Sequence, residues 1–124
     1  MPGPDNSSAA TTAALFAVGA NHRSAPLALR DKLFFDEAGH AELLRRLKRR
    51  GLDQAIALAT CDRIEVQGAA GDPGAAMQAI VEEIARGAET EAAAIGRQFY
   101  RLTGEAALRH VFAVAASLDS LVIG

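Results

Sequence analysis

The stretch Gln54-Ala55-Ile56-Ala57-Leu58-Ala59-Thr60-Cys61-Asp62-Arg63-Ile64-Glu65-Val66-Gln67 decides how the fold is read. Its first six residues are uncharged and largely apolar, the length of a buried strand, although periodicity alone does not separate such a run from a helical segment. Beyond Arg63 the pattern alternates: Ile64 and Val66 point one way, Glu65 and Gln67 the other, which is strand spacing. Cys61, the only cysteine, then falls at a strand-to-strand turn, where a rigid sheet can hold a side chain that still reaches a substrate. A nearby positive charge favours the thiolate; Arg63 is placed to supply one, and Asp62 pulls the other way. The competing reading is an inert core thiol, since free cysteine is among the most buried residue types.

Working outward, residues 15–20 form an apolar run that leads into Asn21-His22-Arg23-Ser24, a first strand entering a polar loop. Pro26 suits the first turn of a short helix over residues 27–33, with Ser24 or Ala25 near its cap. Asp36 caps a longer helix running to Arg50; Leu43, Leu44 and Leu47 give it an apolar face and Gly51 ends it. Its basic run, residues 45–50, holds five of the thirteen Lys and Arg residues. That run suits either a phosphate backbone or a solvated helix end matched to the macrodipole.

A turn-rich break over residues 68–74 follows the alternating strand, and then a third helix from about Pro73 to Arg86, broken or ended by Gly87. Within it Met77, Ile80, Val81 and Ile84 lie at helical spacing. Residues 89–98 are Ala-rich and suit a further turn or two of helix, and Phe99-Tyr100-Arg101-Leu102 is β-favourable. The last segment, from Thr103 or Gly104, carries Ala107, Leu108, Val111, Phe112, Val114, Ala115 and Leu118 in a broad stripe expected to pack on the sheet. His110 lies beside that stripe.

With 124 residues the chain holds one hydrophobic core, and a net charge of −2 gives no general attraction to nucleic acid. A single cysteine fits a reducing, cytoplasmic setting, and no apolar run approaches the ~20 residues that span a bilayer. Residues 1–14 read as a disordered leader rather than a secretory signal.

Three separated segments together resemble one family, the N-terminal catalytic domain of glutamyl-tRNA reductase. They are Val18-Gly19-Ala20-Asn21-His22-Arg23-Ser24-Ala25-Pro26, Ala59-Thr60-Cys61-Asp62-Arg63-Ile64-Glu65, and residues 105–124 with Arg109-His110-Val111-Phe112 and Leu118-Asp119-Ser120-Leu121-Val122-Ile123-Gly124. The resemblance implies an α+β, ferredoxin-like antiparallel sheet over residues 15–124, with helices packed on one face and a C-terminal helix. It implies Cys61 as the nucleophile that takes the glutamyl group from glutamyl-tRNA as a thioester, on the way to glutamate 1-semialdehyde in tetrapyrrole (porphyrin) synthesis. His110 is implied as a second catalytic residue that polarises or orients the reacting carbonyl. Thr60, Arg63, Asn21 and Ser120 are implied as substrate-binding, with His22 converging on the same pocket.

The family's reductant is NADPH. With no Gly-x-Gly-x-x-Gly turn in this sequence, its binding domain and a dimerisation domain are expected outside the chain. The family admits as partners a second copy, through that C-terminal domain, and the next enzyme of the pathway. Where members usually carry Asn, Thr, His, Arg and Gly, this chain has Asp62, Ile64, Leu102, Ala113 and Ser117. Those departures keep two other readings open: a noncatalytic module that recognises glutamyl-tRNA or a protein partner, and a small thiol hydrolase.

Overall fold

The computed structural model describes residues 13–123, with side chains to Leu118. Four strands, β1 (Ala14–Asn21), β2 (Ala55–Ala59), β3 (Arg63–Ala70) and β4 (Tyr100–Thr103), form one sheet in the order β2-β3-β1-β4. All three pairings are antiparallel. Read from the other edge this is 4-1-3-2, the ferredoxin-like order anticipated from sequence. The helices are α1 (Leu27–Leu33), α2 (Glu37–Arg49), α3 (Pro73–Gly87), the single turn α4 (Ala92–Ile95) and α5 (Gly104–Ile123). The leader expected over 1–14 lies outside the described residues except at its end, where Ala13 is exposed and Ala14 already opens β1.

Strand alternation gives the sheet two unlike faces. Val18 stands opposite Val66, and Ala57 opposite Val66 on the other side, so Phe16, Val18, Ala57, Ile64 and Val66 share one apolar face. Leu43 and Leu47 of α2 and Met77, Ile80, Val81 and Ile84 of α3 complete the core there. The opposite face carries Ala17, Gly19, Arg63, Glu65 and Gln67, with Tyr100 beside Gly19 and Leu102 beside Ala17. Helix α5 covers this second face, burying Ala107 and Val114.

The broad stripe expected on α5 is narrower than its composition suggests: Leu108 is 46% and Phe112 67% exposed. One helix crossing a sheet buries only the residues under it, and these two point away.

Helix ends follow local chemistry. Asp36 accepts a hydrogen bond from Gly39 N at 2.8 Å, and Asp72 one from Ala75 N at 3.1 Å. Gly51, at φ +84°, closes α2 as Leu52 N reaches back to Leu47 O. Pro26, expected inside the first turn of α1, instead precedes it, and that end has no side-chain cap. Gly87, expected to break or end α3, is its last residue, and the left-handed position falls to Glu89 at φ +57°. Gly87 is small for another reason: a Cβ there would stand 3.0 Å from Arg46 Nη2.

Arg46 is the centre of the basic run and is neither free for phosphate nor simply solvated. Its Nε donates to Glu83 Oε1 at 3.0 Å, and Arg50 Nη1 donates to Glu83 Oε2 at 3.0 Å. Glu83 is 3% exposed, so these arginines clamp α2 to α3.

Candidate functional site

The β2–β3 turn holds Cys61 at the surface. Thr60 builds it: Thr60 N donates to Arg63 O at 2.9 Å, and the Thr60 hydroxyl oxygen accepts from Asp62 N at 3.2 Å and Arg63 N at 3.3 Å. A third anchor comes from α1, where Arg30 Nη1 donates to Cys61 O at 2.9 Å.

One strand step away lies the polar centre of the covered face. Glu65 has no exposed surface. Its Oε1 accepts from Arg63 Nη1 at 3.2 Å and from the Tyr100 hydroxyl, and lies 2.8 Å from His110 Nε2, which fixes the Nε2–H form as donor. Its Oε2 accepts from Gln67 Nε2 at 2.6 Å. Arg63 Nη1 also lies 3.3 Å from the Tyr100 oxygen, and the Tyr100 and His110 rings meet at 5.1 Å.

Burial alone would push the Glu65 carboxyl up, but the hydrogen bonds from His110, Tyr100 and Gln67 outweigh it and hold the group below its ordinary 4.5. Tyr100 moves the other way: burial first, then the adjacent carboxylate, keep its phenol protonated well beyond its ordinary range. Gly19 makes room for this arrangement, since a Cβ there would come within 2.9 Å of Glu65 Cβ.

Of the residues singled out from sequence, Arg63 and His110 meet on Glu65, while Thr60 and Cys61 form the turn leading into the same strand. Asn21 stands directly opposite Arg63 across the β1–β3 pair; its Oδ1 accepts from Arg23 N at 2.9 Å and Ser24 N at 3.2 Å and shapes the loop. His22 is exposed one residue further on. The side chain of Ser120 lies outside the described residues.

Asp62, whose charge opposes that of Arg63 in the sequence, does not pair with it: among the described residues Arg63 pairs with Glu65. Asp62 lies in the turn before β3, whereas Glu65, two residues after Arg63 along the strand, shares its face. Sequence reasoning gave no role to Glu65, Gln67 or Tyr100. The signal for the first two was present as three polar residues, 63, 65 and 67, on alternate positions of a strand otherwise apolar.

Among the described residues the starts of the longer helices offer no open cradle for a pyrophosphate. Pyrophosphate binding favours free N–H groups and positive potential at a helix start, and the first turns of α2 and α3 are already served by Asp36 and Asp72, with Glu105 opening α5. Among the described residues no helix is long and apolar enough to cross a membrane.

Together these features define an α+β domain of ferredoxin-like topology in which a turn bearing an exposed thiol leads into a strand that carries a covered, hydrogen-bonded polar cluster. Comparison with known proteins supplies the family. The model described as "Glutamyl-tRNAGlu reductase, N-terminal domain" matches residues 18–124, and the chain belongs to that family. It is 42% identical over 107 residues to the glutamyl-tRNA reductase of Rhodospirillum rubrum, an alignment covering 86% of this chain and 25% of that protein. The corresponding protein of Heliobacterium mobile is 38% identical over 111 residues, with 89% of this chain and 25% of the relative covered. That of Myxococcus xanthus is 38% identical over 110 residues, covering 89% and 24%. The chain thus spans about a quarter of the length of these relatives.

Proposed function

We propose that this domain is the acyl-accepting part of a glutamyl-tRNA reductase, with Cys61 as the nucleophile. The observation that carries the reading is the exposure of Cys61 on a turn pinned by Thr60 and Arg30, next to the Arg63–Glu65–His110 cluster, in a chain of this family.

In this reading the sulfur attacks the ester carbonyl carbon of glutamyl-tRNA. A C–S bond forms, the C–O bond to the terminal ribose breaks, and the ribose oxygen leaves with a proton. The glutamyl carboxylate is held by the edge of the Arg63 guanidinium that Glu65 does not use, a planar fork suited to it. Thr60 has committed its oxygen lone pairs to the turn and retains its O–H to donate; Asn21 likewise retains its amide N–H groups. His110, held by Glu65 through its Nε2–H, would orient the reacting carbonyl through a second N–H at Nδ1, which requires the doubly protonated ring. The family reaction continues to glutamate 1-semialdehyde with NADPH; acyl transfer and its loss to water are the steps assigned to these residues.

The test is release of glutamate from glutamyl-tRNA by the 124-residue protein. Cys61→Ser is expected to lower the rate about 100-fold or more. Asp62→Asn is expected to raise it about threefold, the worth of one exposed charge several ångströms away. Full activity in Cys61→Ser would remove the nucleophile, and binding of glutamyl-tRNA without any release would favour a recognition module.

A further inference from the structure

The cation bonded to the Cys61 turn is Arg30, which the sequence motifs leave without a role and to which the reading above gives only that of an anchor. Its Nε donates to Ala25 O at 3.2 Å and its Nη1 to Cys61 O at 2.9 Å. One guanidinium therefore ties the loop after β1 to the turn between β2 and β3. Both acceptors are neutral carbonyls, and among the described residues no carboxylate lies within ion-pair distance of Arg30. Arg63 differs: its charge is offset by Glu65 at 3.2 Å.

We propose that Arg30, rather than Arg63, is the positioning residue of Cys61: its two carbonyl bonds hold it against the turn, and its uncompensated positive charge is what the attacking sulfur meets. The inference deepens the acyl-transfer reading and rests on it. The other charged groups around the turn are Asp62 within it, His22 and Arg23 on the facing loop, Arg63 and Glu65 on β3, and His110 from α5. Asp62 is the anion closest in sequence to the sulfur, which leaves Arg30 a charge to oppose. A guanidinium held by two carbonyls cannot turn away toward solvent without giving up both bonds.

The experiment is the rate of alkylation of Cys61 by iodoacetamide at neutral pH, which is site-specific because the chain has no other thiol. Arg30→Gln should slow it about threefold, and the deficit should shrink when salt is raised to about 1 M, where the screening length is ~3 Å. Arg30→Lys should remain near the wild-type rate, since it keeps the charge. Equal rates in Arg30→Gln and wild type would overturn the proposal, as would Arg30→Lys slowing as much as Arg30→Gln, the pattern of a structural role or a folding defect. Alkylation requires no glutamyl-tRNA, so the two readings fail separately. A threefold change with no Cys61-dependent glutamate release would sink acyl transfer alone, and intact release with no change would sink only the role of Arg30.

Discussion

A carboxylate with no exposed surface needs compensation, and Glu65 draws it from Arg63, Tyr100, His110 and Gln67. Taking away the charge leaves those donors poorly matched. Glu65→Gln is expected to destabilise the fold by about 2–4 kcal/mol, and Tyr100→Phe by about 1–2 kcal/mol, both read from urea midpoints. Glutamate release should fall in Glu65→Gln as well, because the Arg63 and His110 side chains lose their shared anchor. Cys61, Arg63 and His110 were legible as residues through the family's motifs. Glu65 was legible only as a strand position, and its partner Tyr100 not at all, since the contact spans 35 residues and exists only once β4 lies beside β1.

Among the elements, helix and strand existence followed closely from spacing and local signals: the Asp36 cap before α2, the turn-rich break that ends at Pro73 of α3, and the alternation in β3. What spacing concealed was partnership. The basic run on α2 reads as a surface charge until α3 is laid against it, whereupon Glu83 receives Arg46, Arg50 and Arg86. Glu83→Ala is expected to cost about 3 kcal/mol, chiefly because it strands Arg46, whose side chain is largely buried against α3. The thermal midpoint would report the loss, and an unchanged midpoint would show the clamp to be idle. The α5 stripe failed for a related reason, as apolar residues wide of the contact line have nothing beneath them: Phe112 and Leu108 stay exposed.

For the whole molecule, the covered cluster sets two limits on stability. The Glu65 carboxyl titrates lower folded than unfolded, so its contribution is fully present above the ordinary 4.5 and is lost as pH falls below it. The Tyr100 phenol titrates higher folded, so its contribution is fully present below the ordinary 10.0 and is lost as pH rises beyond it. Urea midpoints should therefore stay level between these limits and decline on both sides, with a shallower acid decline in Glu65→Gln and a shallower alkaline one in Tyr100→Phe. The same alternation that separates the two faces of β3 has a consequence for how the chain finds its fold. Sliding β3 by one position against β1 would drive Glu65 in among Leu43, Leu47 and Ile80, and turn Val66 toward His110. An unpaired carboxylate in aliphatic surroundings costs several kcal/mol, so a misaligned pairing cannot settle into a compact trap. The group that gathers the polar cluster thereby proofreads the assembly of the central strands.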